Sequence, residues 1–356
     1  MPFAIRRGTN ISHWLSQSNA RGDERRRRFT REDAQRLADV GFDHLRLPVD
    51  EEQLWNPEGK RETEAWDLLQ EGLDWCQADG LRAIVDLHIL RSHHFNADAE
   101  RRTLFSDPAA AARFAESWRE LSRELRERPT GFVAYELLNE PVAEDPADWN
   151  RVLREPYRAI REAEPDRVIA IGSNRWNSAS TYPDFDPPAN DPHVILVFHF
   201  YEPMLITHYT APWCKRLCEY RGPIQYPGPP VPAEALAALD PDFRSFIRDL
   251  NEPFDIGAME RKIQPALKKA SEMKYPLWCN EFGVYEKTPD PIRRAWYRDF
   301  RTVLDRHGIA WANWDFRGGF GLFDKNNRPT VVMEALLGGD TAPHQRGESS
   351  TRGSGS

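Results

Sequence analysis

Val194-Ile195-Leu196-Val197-Phe198 is an apolar run without a polar interruption. A strand covered on one face alternates apolar and polar side chains, whereas a parallel strand covered on both faces does not. The run therefore reads as a strand of a parallel sheet. Comparable segments recur along the chain, and strand candidates fall at 3–11, 44–49, 82–88, 132–139, 167–172, 194–201, 276–282 and 308–315. Amphipathic helices fill most of the gaps. Thr30 and Asp33 form a capping-box-like helix start, and Gly41 follows as a stop. Trp66, Leu69, Leu73 and Cys76 trace one helix face, and Phe114, Trp118, Leu121 and Leu125 trace another after Asp107-Pro108. Further helices are expected near 146–163, 256–273 and 290–306. Eight strands alternating with helices predict an α/β fold, a (β/α)8 TIM barrel. The competing open sheet would favour a Gly-x-Gly-x-x-Gly loop after the first strand, and none is there.

The chain has 356 residues, a normal length for one such barrel, and the expected domain is 1–338. Residues 204–254 make a long connection after the sixth strand and hold eight prolines, so they read as a cleft wall or lid. The Gly-, Ser-, Thr- and Arg-rich stretch 339–356 reads as a disordered tail. The net charge of −8 argues against a general nucleic-acid binder. The run Arg25–Arg28 is expected on a solvated loop, with a grip on an acidic substrate as the sharper alternative. No stretch approaches the roughly 18 apolar residues of a membrane span. No signal-peptide apolar region opens the sequence, so the chain as written is expected in the cytoplasm, or secreted or periplasmic if a leader was removed. Cys76 and Cys279 read as core; Cys214 and Cys218 read as free thiols, with a disulfide as second choice and half a zinc site as third. No cofactor or metal is expected, and a monomer is.

Two glutamates dominate the chemistry. Glu140 lies in Glu-Leu-Leu-Asn-Glu-Pro (136–141) and Glu281 in Trp-Cys-Asn-Glu-Phe-Gly (278–283), each ending an apolar strand-like run. Facing carboxylates are what glycosidic bond cleavage needs: one gives a proton to the leaving oxygen, the other attacks the anomeric carbon. The other chemically suggestive residues also fall at C-terminal strand ends, where barrels keep their active sites.

These motifs resemble glycoside hydrolase family 5, retaining enzymes on a (β/α)8 barrel that include endoglucanases and mannanases. The likeness runs from about residue 5 to 338. It rests on Arg-Gly-Thr-Asn (7–10), Leu-Arg-Leu-Pro (45–48), Asp-Leu-His-Ile-Leu (86–90), Leu-Asn-Glu-Pro (138–141), His-Phe-Tyr (199–201), Asn-Glu-Phe-Gly (280–283) and Trp-Ala-Asn-Trp (311–314), in that order. The resemblance implies Glu140 as acid/base and Glu281 as nucleophile. It implies that Arg46 and Tyr201 hold the nucleophile and that His199 sits near the acid/base. A cation at Arg46 would keep the Glu281 pKa low. Asn139 can bond the sugar 2-hydroxyl, His88 resembles a sugar-contacting histidine, and Trp314 would form the platform under that sugar. Asp86 and Glu136 share strand parity with His88 and Glu140 and read as buried polar supports. Asn10, His93, His94 and Trp176 are candidate sugar contacts. Trp14, Trp55, Trp213, Tyr209, Tyr220 and Tyr226 are candidates for outer subsites.

The function expected is an endo-β-1,4-glucanase-like retaining β-glycosidase with a carbohydrate substrate, because Asp-Leu-His-Ile-Leu resembles a strand of bacterial cellulases. The alternatives are a β-mannanase or an exo-acting β-glucosidase and, in another class, a sugar-binding pseudoenzyme.

Overall fold

The computed structural model describes residues 2–338, so the tail expected at 339–356 lies outside the described residues. The strands are β1 (Arg7–Asn10), β2 (His44–Val49), β3 (Arg82–Leu87), β4 (Val133–Glu136), β5 (Ile169–Gly172), β6 (Val194–Phe200), β7 (Leu277–Phe282) and β8 (Ala310–Asn313). All pair in parallel with their sequence neighbours, and β1 pairs with β8 as well as with β2. That second pairing closes the barrel and removes the open-sheet alternative.

Closure explains the apolar runs. Every residue of β6 is buried. Outward side chains such as Leu196, Phe198 and Phe200 join the large core between barrel and helices. Inward side chains such as Ile84, Ala134, Ala170, Ile195, Val197 and Ala312 form a second, smaller cluster around Trp278. Most of these are small because two rings occupy the axis: His44 meets the Trp278 ring edge-on at 5.4 Å. Phe3 and Ile5 pack against this lower cluster without joining the ladder, so the first strand is shorter than its apolar span. Above the apolar layer lies a polar one. Asn10, Arg46, Asp86, Glu136 and Asn280 are buried at the upper ends of β1, β2, β3, β4 and β7.

The helix signals translate locally. Thr30 and Asp33 close a reciprocal capping box on the helix Arg31–Asp39. The span expected near 146–163 is two helices, Pro146–Val152 and Arg154–Ala163, meeting at Leu153. Pro156 accounts for the break, because it has no N–H to donate to the carbonyl four residues back and its ring crowds it. Residues 204–254 contain short helices and their own apolar cluster of Leu205, Leu217, Tyr220, Val231 and Ile247. This connection is a packed wall.

Several expectations change. Arg25 is buried in the helix Gly22–Arg26, donating to Gln53 at 2.6 Å and Glu64 at 3.2 Å. Arg28 donates to the Arg317 carbonyl. None of Arg25–Arg28 borders the cleft, so the acidic-substrate reading lapses. Trp14 and Trp55 are wholly buried: Trp14 meets Phe29 edge-on, and Trp55 donates to Glu120 at 2.8 Å. The four cysteines are free thiols. Among the described residues no helix is long and apolar enough to cross a membrane.

Gly8 is where the barrel axis tolerates no side chain, since a Cβ there would land inside the His44 ring. Gly8→Ala is expected to cost about 1–3 kcal/mol of stability through overpacking, read as a lower urea midpoint with an unchanged slope. An unchanged midpoint would mean that the His44–Trp278 pair repacks freely.

Candidate active site

The site is built on Arg46. It is wholly buried within β2, level with the end of β1, and its five N–H groups all donate. Nε and Nη2 reach Glu136 at 2.6 and 2.9 Å, Nη1 reaches Asn10 at 2.8 Å and Glu281 at 2.6 Å, and Nη2 also reaches Asn139 at 2.9 Å. Asp86 lies 2.9 Å from Nη2. Burial alone would lower the arginine pKa, but Asp86, Glu136 and Glu281 outweigh it and keep the guanidinium charged. One cation thus faces several carboxylates. Asp86 and Glu136 are both pushed up to about 7, by burial first, with Arg46 pulling the other way. They are the buried supports that strand parity indicated.

Glu281 points into the barrel because β7 carries an irregularity. Trp278 pairs with Val197 and Cys279 with Phe198, but the next pair is Glu281 with His199. One residue of β7 is left over at this bulge. Asn280 therefore reaches Glu136 inside the barrel at 2.8 Å while Glu281, its direct neighbour, also faces inward. Glu281 Oε1 takes the Arg46 proton donor, and Oε2 accepts from the Tyr201 hydroxyl at 3.0 Å. Its pKa is not low, as Arg46 alone would make it. Burial raises it to about 7 against the pull of Arg46, helped by Asp86 and Glu136.

Glu140 follows β4 in a left-handed backbone conformation, φ 46°. Such a conformation is costly for a glutamate and persists where the surroundings impose it. His93 Nε2 holds the Glu140 carbonyl at 3.0 Å, and His199 Nδ1 holds Oε1 at 2.8 Å. Asn177 Nδ2 faces the other ring nitrogen of His199 at 3.3 Å, which leaves the hydrogen on Nδ1. Burial first, then Arg46 and His88, lowers the His199 pKa well below its ordinary value, so the ring is neutral. The Glu140 carboxyl is held well above the usual carboxylate range, by burial first and the nearby Glu281 second. Oxygens of Glu140 and Glu281 and a nitrogen of His199 lie within 4.8 Å of one another. Among the described residues this is the group that could close on a metal ion.

The two glutamates open into a cleft of about 1330 Å³. His88, His94, Trp176, His199, Tyr201, Trp213 and Trp314 line it, as the sequence indicated. His88 is held by Asp86 at 2.7 Å, and its ring stacks parallel to Trp314 at 5.5 Å between centroids. Trp176 is 43% exposed and fixed by its indole N–H on the Phe95 carbonyl at 3.1 Å. Asn139 sits under the cleft with its Oδ1 on Arg46, and its Nδ2 is buried without a partner.

Asn10 and His93 do not line the cleft. Asn10 ends β1 and ties Arg46 to the carbonyls of Asn280 and Asn313 at 2.9 and 3.1 Å. His93 is wholly buried against Phe105 and the Glu140 carbonyl. Both support the glutamates from beneath in place of the sugar contacts expected of them. Tyr209 and Tyr220 donate to carbonyls within the 204–254 wall, and Tyr226 donates to Asp299 at 2.6 Å, so these three are structural.

Several residues in or beneath the cleft escaped the sequence reading. Asn177 fixes the His199 tautomer from the turn after β5. Asp50 borders the cleft with one oxygen on the Gln17 amide at 2.7 Å and the other unpartnered. Tyr285 and Phe320 meet at 5.5 Å beside Trp213. The glycine-rich segment Arg-Gly-Gly-Phe-Gly (317–321) after β8 was the available signal for Phe320. A Cβ on Gly319 would collide with the Tyr285 ring, so glycine is what lets this segment close on it.

Comparison with known proteins places the chain. The cellulase family, glycosyl hydrolase family 5, matches residues 8–319. Endoglucanase C of Acetivibrio thermocellus is 30% identical over 332 residues, covering 92% of this chain and 95% of that protein. Cellodextrinase A of Ruminococcus flavefaciens is 27% identical over 308 residues, covering 86% of this chain and 84% of that protein. Among solved structures, endoglucanase Cel5A of Thermotoga maritima superposes with a TM-score of 0.75 at 23% identity, covering 93% of this chain and 96% of that one. The fold, the family match and the paired carboxylates agree: this chain is a glycoside hydrolase and belongs to the cellulase family, glycosyl hydrolase family 5.

Proposed function

We propose that this enzyme is an endo-acting β-1,4-glucanase that retains anomeric configuration by double displacement, with Glu281 as nucleophile and Glu140 as acid and then base. One observation carries the reading. The Glu140 and Glu281 oxygens lie within 4.8 Å of one another, and Arg46 donates to Glu281 but not to Glu140. So close an approach of one oxygen from each carboxyl suits direct attack, as in retaining enzymes with carboxyls about 5–5.5 Å apart, better than the roughly 6.5–9.5 Å of an inverting pair.

The charges divide the labour. Glu281, on Arg46 and the Tyr201 hydroxyl, is the carboxylate that ionises first. Glu140, facing it without a cation of its own, keeps its proton. The His199 hydrogen occupies Glu140 Oε1, so the acidic proton belongs on Oε2 and is free for the leaving oxygen. Attack by Glu281 on the anomeric carbon breaks the bond to that oxygen, which takes the Glu140 proton. The glycosyl ester removes the negative charge of Glu281. The Glu140 pKa then falls, and the carboxylate draws a proton from the incoming water. Asn139 Nδ2, buried without a partner, suits a sugar 2-hydroxyl. Trp314 and His88 frame the sugar that is attacked. The named relatives, an endoglucanase and a cellodextrinase, support a glucan substrate and do not favour a mannanase, an exo-glucosidase or a binding protein without catalysis.

Endo action on a soluble β-1,4-glucan should lower viscosity well before reducing ends accumulate; monosaccharide as the sole early product would overturn it. Glu140→Gln is expected to lose about 10²–10⁴-fold in kcat on unactivated oligosaccharides and far less on a dinitrophenyl glycoside, whose leaving group needs no acid. Azide should rescue Glu140→Ala to the β-azide and Glu281→Ala to the α-azide, and the reverse pattern would exchange the two roles.

The sign of the pH dependence follows from the raised Glu140 pKa. Activity is present while Glu140 is protonated and is lost as pH rises through its value, so the basic limb of kcat/KM lies well above the usual carboxylate range. For a dinitrophenyl glycoside that limb should disappear from the glycosylation step. A limb shared unchanged by both substrates would belong to another group.

A further inference from the structure

The turn after β5 has an unusual backbone. Arg175, Trp176 and Asn177 are all left-handed, with φ of 52°, 60° and 53°. Single left-handed residues occur in ordinary turns, but a run that includes an arginine and a tryptophan is costly and persists only where neighbours impose it. The neighbours here flank Glu140 and His199. Asn174 grips Ala143 with both ends of its amide, Oδ1 accepting from the Ala143 N–H at 2.8 Å and Nδ2 donating to the Ala143 carbonyl at 3.0 Å. The Trp176 N–H donates to the Pro141 carbonyl at 3.3 Å. Ser178 makes a parallel bridge to His199. The turn thus holds the chain that follows Glu140 and the strand that carries His199 at once.

Asn177 lies at the junction. It is wholly buried and does not border the cleft. Its Nδ2 faces His199 Nε2 at 3.3 Å, while its Oδ1 has no partner. Buried amides that serve packing alone have their polar ends satisfied. This one keeps the contact to the histidine and leaves the other end bare. Gly172 makes room for it, because a Cβ there would stand 2.2 Å from Asn177 Oδ1. Asparagine also tolerates the left-handed backbone that the position requires. As a donor to Nε2, Asn177 keeps the single hydrogen of the neutral ring on Nδ1, against Glu140 Oε1 at 2.8 Å. In the other tautomer Nδ1 would be an acceptor. It would then draw the Glu140 proton onto Oε1, away from the leaving oxygen.

We propose that Asn177 is a positioning residue for the acid step: acting through His199, it keeps the Glu140 proton on the oxygen that faces the leaving group, and the left-handed turn 175–177 holds it in place. The inference rests on the assignment of Glu140 as acid in the reading above.

The test reads the tautomer and the acid step separately. In the wild-type enzyme, isotope-labelled at the histidine nitrogens, the His199 ring signals are assigned by their loss in His199→Gln. Their magnetic resonance shifts at neutral pH should place the hydrogen on Nδ1; a hydrogen on Nε2 would overturn the inference with no variant at Asn177 needed. Asn177→Asp keeps the shape and the left-handed tolerance, but its carboxylate only accepts, so it should draw the ring hydrogen to Nε2. This variant is expected to lose at least about tenfold in kcat/KM on cello-oligosaccharides and to stay within about threefold of wild type on dinitrophenyl cellobioside, whose leaving group needs no acid. Equal losses on the two substrates would make Asn177 a packing residue and overturn the inference, as would no loss on either. Glu140→Gln is assayed alongside. If it lacks the same selectivity between substrates, the assignment of Glu140 as acid fails and this inference with it. Selectivity in Glu140→Gln without selectivity in Asn177→Asp overturns this inference alone.

Discussion

A single buried guanidinium holds this active site together. Arg46 donates to Glu136, Glu281, Asn10 and Asn139 and lies against Asp86, which ties β1, β2, β3, β4 and β7 to one point on the barrel axis. Taking one arginine and three carboxylates out of water is expensive, and the cost is offset only because every guanidinium hydrogen has a partner. The carboxylates bear what is left as raised pKa values. The electrostatics of Glu140 and Glu281 are set within this network: Glu281 is inside it, Glu140 is just outside, and the difference separates their protonation.

The geometry comes from two local departures from regular structure. The β7 irregularity lets Asn280 and Glu281 face the same side, one supporting Glu136 and the other facing the cleft. The left-handed backbone of Glu140 turns its carboxyl toward His199 and away from the strand it follows. Neither would survive alone. The first is pinned by Arg46 and Asn10, and the second by His93 and His199. The rings that fill the barrel axis below, His44 and Trp278, form the floor on which this polar layer rests.

Around that rigid centre the cleft walls have separate origins. One side is built from the connections after β8, β1, β2 and β3, with His13, Gln17, Asp50, His88 and Trp314 among its lining residues. The other side comes from the connection after β5 and from 204–254, which packs its own cluster and presents Met204, His208, Trp213, Lys215 and Arg216 to the cleft. A wall with its own core can change its outward face without disturbing the barrel.

The barrel and the facing pair of Glu140 and Glu281 were legible in the sequence for a physical reason. Parallel strands covered on both faces must be apolar throughout, so a glutamate or arginine at the end of such a run stands out. Arg46, Glu140, His199, Tyr201, Glu281 and Trp314 were found this way, and Asp86 and Glu136 by the period of two. What the sequence could not separate was support from contact. Asn10 and His93 have the composition of sugar ligands, and Trp14 and Trp55 that of sugar platforms, yet all four are buried. Their direction depends on packing against segments far away in the chain, and no local pattern records it. The same holds for Arg25, drawn inward by Glu64 and Gln53. The sequence by itself determined which strands exist and which side chains end them, because burial dictates residue type strand by strand. Only the tertiary structure decided that the strands close, which ends meet and which glutamate shares the arginine, because those depend on distances across the barrel between residues far apart in the chain.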